Sequence, residues 1–575
     1  MPKDRVPARE ALEPDALIGQ ASPVLALPQA LTRQAVGLLA PTGSFFILVG
    51  TMTQRQRTKD AQWESLFALP DKPALPLQQR LRLSVVQAIL DGRLPAGALL
   101  PSSRELAQVL GLSRNTVTAA YAHLMDDGFI ESRPRSGVFV SDNAQAAASK
   151  PLALGVGRGT DAAQAKAEAL AGAAQPDWSS RVLRSLSDQR TLTKPDQWRR
   201  YVYPFVYGTY DPQLFPSEAF RECCVHSLAR AHLPHWTPDF ELSDVPELVE
   251  QIRLRLLPKR GVFALPEEIL ITVGAQHAYY LLAEALFDEN QRVGLEEPGH
   301  PHARNSFAPR HPQCLPLAVD EQGLKVDRLP ALDYVFVTPS HQSPTTGTLS
   351  MERRRLLLQK AQDKDFVVIE DDYEAENLYE GEPMPALKSL DKVGRVIYVG
   401  SVSKSLSPSL RLGYIVAPRA LIAELRGLRH AMVRHPSAFL QHTFALFLSL
   451  GHHDAHARRV NQAMQERMAM VARALQQYLP DFQFTLPSGG ASVWVRAPAW
   501  VDSSELALIA RKYGVLIEAG DVFFMHPPYP CPYFRLRLSS IAAEQIAPGI
   551  KALGAAVDEL AIARGAPKRV VLRVA

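Results

Sequence analysis

Cysteine is scarce. The 575 residues contain four, Cys223, Cys224, Cys314 and Cys531, with no Cys-x-x-Cys pair. That excludes a disulfide framework and a thiolate metal site, and it fits thiols kept in a reducing compartment. Long apolar runs are also missing. The longest candidate, Ser44-Phe45-Phe46-Ile47-Leu48-Val49-Gly50, falls well short of the roughly 18 residues of a membrane span and lies too deep for an ordinary signal peptide. A cytoplasmic protein without a membrane partner is expected. Nor is one sign of charge in excess: 63 Lys and Arg face 59 Asp and Glu, for a net +4. Composition therefore does not mark a nucleic-acid binder, and any DNA contact must come from local patches. With 46% hydrophobic and 21% charged residues, the chain has the mix of a globular protein. It is too long for one core, so several domain-sized units are expected.

Residues 1–70 show no sustained period. They read as a mobile extension or as an upstream misassigned start, with Met52 as the alternative initiator. Residues 71–141 are well patterned and form the first expected domain. From 142 to 198 Ala- and Gly-rich segments such as Ala144-Gln145-Ala146-Ala147-Ala148 read as a linker. Over 199–575 β-branched runs alternate with helical patterns. Ile269–Val273, Tyr334–Thr338, Phe366–Ile369 and Val396–Val399 are buried-strand candidates, and their alternation with helices implies an α/β domain with a largely parallel sheet.

Within the first domain, Leu77, Leu81, Val85, Val86, Ile89 and Leu90 form a helical stripe that Gly92 ends. Ser102 and Glu105 have capping-box spacing at the start of a second helix. Ser113 can cap a third, running through Val117, Ala120, Tyr121 and Leu124 to Gly128. Two short strands follow around the basic turn Arg133-Pro134-Arg135-Ser136-Gly137. Three helices and a basic hairpin are the layout of a winged helix-turn-helix, an α+β unit whose third helix would offer Ser113, Arg114, Asn115 and Thr116 to base edges. Arg104, Arg133 and Arg135 are placed for backbone or minor-groove contact. Leu100-Pro101-Ser102-Ser103-Arg104-Glu105-Leu106-Ala107 and Leu112-Ser113-Arg114-Asn115-Thr116-Val117 resemble the GntR family of bacterial regulators. The resemblance implies that Arg104 and Arg114 contact DNA and that Gly137, at the wing tip, approaches the duplex.

The large domain carries Tyr398-Val399-Gly400-Ser401-Val402-Ser403-Lys404-Ser405 and, seven residues beyond the lysine, Arg411. A lysine among small hydroxyls can form an imine with an aldehyde cofactor, and the hydroxyls with Arg411 can hold a phosphate. Alone, the stretch could equally be a phosphate loop or carry a surface lysine. Two further segments favour pyridoxal phosphate. Ile369-Glu370-Asp371-Asp372-Tyr373 sets carboxylates at a strand end, where a pyridinium nitrogen needs one. Thr272-Val273-Gly274-Ala275-Gln276 joins a strand to a helix, whose first N–H groups suit a phosphate.

With Tyr210-Asp211-Pro212, Glu297-Pro298-Gly299 and Thr338-Pro339-Ser340, this region resembles fold type I aminotransferases, and more narrowly the aminotransferase-like domain of the MocR subfamily of GntR regulators. The resemblance implies a mainly parallel sheet and a smaller C-terminal α+β subdomain. It makes Lys404 the Schiff-base lysine, Asp371 the partner of the ring nitrogen and Tyr373 the partner of the phenolic oxygen. Ser401, Ser403, Arg411 and the Gly274-Ala275-Gln276 turn would hold the phosphate, and Arg535 would receive an effector's carboxylate; Arg537 reads as structural. Three departures stand out. His300 replaces the tyrosine that stacks on the cofactor, Phe240 is the nearest aromatic where the family's partner-reaching tyrosine is expected, and Ser343 stands where an aromatic is common. The implied function is a transcriptional regulator, a head-to-tail homodimer on paired DNA half-sites, that senses pyridoxal phosphate or an amine or amino acid reacting with it. The alternative is an aminotransferase with an auxiliary DNA-binding part, and the resemblance leaves residual transaminase activity open.

Overall fold

Apolar periodicity and caps dictate the small unit. The computed structural model describes residues 63, 66, 67, 69, 75–133, 136–142, 176–182, 189–208, 211–240, 242–374, 376–379, 384–402 and 406–566, and these fall into two compact units divided between Pro176 and Asp177. In the first, α1 (Leu77–Leu90), β1 (Leu99–Leu100), α2 (Ser103–Val109), α3 (Arg114–Asp126), β2 (Ile130–Arg133) and β3 (Gly137–Val140) follow in order. Ser102 and Ser113 cap α2 and α3 by accepting from the N–H groups of Glu105 and Thr116 at 3.2 and 3.1 Å. The apolar stripes then meet in one core through Leu81, Val85, Leu106, Val117, Tyr121 and Leu124. The expected hairpin is joined by β1, which pairs antiparallel to β3 and gives the order β1-β3-β2. Phe67 is also fully buried in this core, so packing begins before residue 71. The rest of the expected extension lies outside the described residues apart from Trp63, Leu66 and Leu69.

The second unit is built on an eight-stranded sheet. Its strands are β4 (Ile269–Thr272), β5 (Arg292–Glu297), β6 (Gln313–Asp320), β7 (Gly323–Leu324), β8 (Tyr334–Val337), β9 (Val367–Asp371), β10 (Val396–Ser401) and β11 (Gly413–Val416), in the order β4-β11-β10-β9-β8-β5-β6-β7. The pairs β10–β9, β9–β8, β8–β5 and β5–β6 are parallel, whereas β11 is antiparallel to both neighbours and β7 to β6. Both faces are buried, as near-continuous apolar strands require. Ile269, Ile271, Tyr398 and Tyr414 enter one core, while Leu270, Ile397, Val399 and Ile415 enter the other. Helices α4 (Ser217–Ser227), α5 (Pro246–Gln251), α6 (Ala275–Leu286), α7 (Pro301–Phe307), α8 (Met351–Asp363), α9 (Arg419–Val433) and α10 (Ala438–Ser449) accompany the sheet.

The chain ends in a smaller α+β part. Strands β12 (Gln483–Phe484), β13 (Ser492–Arg496), β14 (Glu518–Ala519) and β15 (Tyr533–Arg537) form an antiparallel sheet ordered β12-β13-β15-β14, flanked by α11 (His452–Tyr478), α12 (Ser503–Lys512) and α13 (Ala543–Arg564). Residues 189–194, expected within the linker, instead bond to this unit. Gln189 donates to the Asn305 carbonyl, Arg190 to those of Asp521, Phe524 and Met525, and Lys194 to that of Tyr207. Backbone carbonyls distant in sequence hold this strap, and composition does not show them.

Tyr121 tests the small unit's packing. Its buried hydroxyl donates to the Pro101 carbonyl at 2.9 Å, tying α3 to the turn before α2. Tyr121→Phe leaves that carbonyl unsatisfied and should lower stability by about 1–3 kcal/mol in denaturant unfolding of the small unit.

Candidate functional site

Strand polarity gathers the large unit's polar groups. β4, β5, β8, β9 and β10 run in one direction, so their C-terminal ends share one edge of the sheet, and β11, running the other way, begins there. Ligands of open α/β sheets collect at such edges. A cleft with about 770 Å³ of empty space opens there, lined by Ala275 and Gln276 after β4, His300 after β5, Tyr373 after β9, Ser401 at the end of β10 and Arg411 before β11. Arg535 from β15 lines it as well.

The turn after β4 is shaped around Arg411. Gly274 has φ +75°, and a Cβ there would stand 3.0 Å from the Arg411 guanidinium carbon. Arg411 itself has φ +52° and donates from Nη2 to the Val273 carbonyl at 2.9 Å. Beyond Gly274, α6 starts with N–H groups that no preceding turn can satisfy, beside a guanidinium and the Ser401 hydroxyl. This donor set fits a phosphate. His277 braces the turn by accepting from the Val273 N–H at 3.1 Å through Nδ1.

Strand alternation sorts the three carboxylates of β9 and its exit. Glu370 accepts from the Leu387 and Lys388 N–H groups at 2.7 and 2.8 Å, and burial, with Asp372 nearby, pushes its pKa up to about 7. Asp372 pairs with Arg260 at 2.7 Å and accepts from Ser340 and Tyr398. Burial would raise its pKa, but the Arg260 charge and these bonds hold it below the usual carboxylate range. Asp371 points to the opposite face and accepts at 2.6 Å from Tyr279, a residue that lines the cleft. Of the three, it is the carboxylate on the cleft side.

The other wall comes from β15. Arg535 and Arg537 alternate onto one face and both line the cleft. Arg535 donates from Nε to Glu518 at 2.6 Å and lies over the Phe523 ring at 4.6 Å. Arg537 pairs with Glu374, donates to Ser492 at 3.2 Å and lies over the Tyr207 ring. Although it reads as structural in the sequence, Arg537 therefore belongs to the same wall as Arg535. Tyr207, Tyr279, Phe523 and Leu192 have no motif to announce them; the hydrogen bond from Tyr279 to Asp371 spans 92 residues. His300 lines the cleft with its Nδ1 accepting weakly from the Ala303 N–H at 3.4 Å, as the cap of α7. Ser343 reaches the cleft too, whereas Phe240 packs edge-on against His435. Ser403 and Lys404 lie outside the described residues.

In the small unit, Arg104, Arg114 and Asn115 are exposed. The Ser113 and Thr116 hydroxyls are 2.8 Å apart and engaged in the cap of α3. Arg133 is held to Glu131 at 2.7 Å and lies over Phe139. Gly137 has φ +116°, so its backbone conformation already favours glycine. Arg135 lies outside the described residues.

Residues 77–140 match the gntR family of bacterial regulatory proteins, and residues 243–553 match aminotransferase class I and II. The HTH-type transcriptional regulator TauR of Rhodobacter capsulatus is 41% identical over 86% of this chain and 99% of its own length. The probable rhizopine catabolism regulatory protein MocR of Rhizobium meliloti is 32% identical over 79% of this chain and 88% of its own. Among solved structures, LysN, an alpha-aminoadipate aminotransferase of Thermus thermophilus complexed with N-(5'-phosphopyridoxyl)-L-leucine, superposes with a TM-score of 0.61 at 26% identity, covering 67% of this chain and 99% of its own.

Burial, with the Arg429 and Arg411 charges, lowers the His277 pKa from 6.5 to about 4. The unfolded chain therefore binds a proton that the native protein refuses, and this contribution to stability is lost as pH falls from about 6.5 towards 4. The urea midpoint should drop more between pH 7 and pH 5 in the wild type than in His277→Ala; equal drops would contradict the assignment.

Proposed function

This chain belongs to the GntR family of bacterial regulators, in the MocR branch that joins a winged helix-turn-helix to an aminotransferase-like domain, and from that premise we propose that its cleft holds pyridoxal phosphate and converts effector binding into a change in DNA binding. It is a DNA-binding transcriptional regulator with relatives of that kind over most of its length. The cofactor supplies a reactive aldehyde that condenses reversibly with amines.

The chain's own residues then divide the work. Arg411, Ser401, Ser403 and the Gly274-Ala275-Gln276 turn hold the phosphate, with the α6 dipole adding to the attraction. Asp371, kept in place by Tyr279, keeps a proton on the ring nitrogen. Tyr373 donates to the phenolic oxygen; burial and the neighbouring Glu374 raise its pKa, so it stays a protonated donor. His300 covers one side of the ring. Lys404, three residues past the end of β10, would supply the amine that holds the cofactor's aldehyde. Arg535 receives an acidic group of an amine or amino-acid effector through its planar fork, and Arg537 supplies a second cation beside it. The observation that carries the reading is the convergence of Arg411, the α6 N-terminus, Asp371 through Tyr279, and Arg535 on one cleft. Effector binding acts by favouring one of two arrangements of the protein. In a head-to-tail homodimer, two recognition helices meet paired half-sites, with Arg114 and Asn115 on base edges and Arg104, Arg133, Arg135 and the Gly137 wing tip on the backbone or minor groove.

Lys404→Ala should abolish the visible absorbance band that the wild type acquires with the cofactor and should blunt the response to effector, with basal DNA affinity retained in a gel-shift assay; an unchanged band overturns the assignment. Arg114→Ala should cost about 1–3 kcal/mol of discrimination between operator and unrelated DNA, read as a ratio of binding constants. An identical footprint and ratio would remove α3 from the groove.

A further inference from the structure

Away from the cleft, three imidazoles and a carboxylate converge where the segment after α4 meets α10. His235 Nδ1 lies 2.5 Å from Glu247 Oε1 at the start of α5, and His232 Nδ1 lies 3.1 Å from His442 Nε2 on α10. The rings of His235 and His442 stack with centroids 5.3 Å apart and planes 16° from parallel. One potential ligand atom from each of His235, Glu247 and His442 lies within 4.8 Å of the others. We propose that His235, Glu247 and His442, with His232 beside them, bind a divalent ion of the zinc class.

The donor chemistry suits such an ion: imidazole nitrogen and carboxylate oxygen are borderline ligands that zinc accepts in three- and four-ligand sites. Tetrahedral bonds of 2.0–2.1 Å set ligand atoms roughly 3.3 Å apart, so His235 and Glu247, 2.5 Å apart, need to part by under about 1 Å, and the other ligand atoms, within 4.8 Å of one another, to close by at most about 1.5 Å. Protein hydrogen bonds do not use up the cluster, since Glu247 Oε2 and His442 Nδ1 are buried without hydrogen-bond partners. A cation satisfies the carboxylate oxygen directly. Among the described residues Glu247 forms an ion pair with His235 alone, so no lysine or arginine fills the ion's place. His442 is 3% exposed and forms the buried end of the cluster. The side chains of His235 and Glu247 are 46% and 39% exposed, which gives the ion a route in and leaves a coordination position for water. Bound there, the ion links the 3-10 turn Leu233–His235 and α5 to α10, adding to the hydrogen bond by which the Val245 N–H at the head of α5 already reaches Gln441 Oε1 on α10 at 3.1 Å.

The test uses full-length protein without a histidine tag, stripped with EDTA and titrated with zinc sulfate against a chromogenic chelator. Wild type should take up one zinc per chain and melt at a higher temperature with zinc than in EDTA. His442→Ala and Glu247→Gln should weaken binding by more than about 100-fold, beyond the 10–100-fold typical of losing an outer-shell partner. Because His442 is buried, the half-exposed His235→Ala is the decisive variant: it should melt like wild type in EDTA yet lose the zinc-dependent rise and the stoichiometric uptake. No uptake by wild type, or uptake of unchanged affinity by His235→Ala, overturns the proposal.

Discussion

The large unit depends on compensating three consecutive carboxylates at the end of its central strand. Glu370, Asp371 and Asp372 are all essentially buried, and an uncompensated buried charge costs several kcal/mol. Each finds a different solution. Two N–H groups of the short helix Leu387–Leu390 cap Glu370, Arg260 with Ser340 and Tyr398 neutralises Asp372, and the Tyr279 hydroxyl meets Asp371. The outer two solutions fix the strand's surroundings. The middle one turns a carboxylate towards the cleft.

A second constraint brings the anion-binding groups to the same edge. β11 enters antiparallel between β4 and β10, so Arg411, two residues before it, stands at the C-terminal ends of its neighbours. The guanidinium can lie against the turn after β4 because residue 274 has no Cβ and tolerates a positive φ. One reversed strand and one glycine thus set a cation beside a helix N-terminus. On the far wall, Glu518 and Glu374 hold Arg535 and Arg537 in position, which fixes two guanidinium groups in a buried place at little cost in charge.

Much of this was legible in the chain because local periodicity carries it. The stripe from Leu77 to Leu90, the caps Ser102 and Ser113, and the apolar runs later seen as β4, β8, β9 and β10 need only near neighbours to be read. Strand β1 was not legible, since Leu99 and Leu100 become a strand only by pairing with Val138 and Phe139. Phe67 and the strap at 189–194 escaped for the same reason: their partners are distant in sequence. Arg537 shares a face with Arg535 by strand alternation, but that this face lines the cleft follows only from register with β13 and β14. The histidine cluster had no signal at all, as His235 and His442 meet only when α10 packs beside the segment after α4.

The sequence by itself determined the two-part architecture, the helix caps, the buried strands and the residue types able to bind DNA, phosphate and a pyridinium ring, because these follow from spacing and side-chain chemistry. Spacing alone did not say which of three adjacent carboxylates faces the cleft or that Arg411 and Arg535 share one space, which only the family resemblance implied; tertiary structure gave the physical reason for both and decided which aromatic rings close the cleft. Those outcomes depend on strand direction and register, which long-range pairing sets and no local pattern encodes.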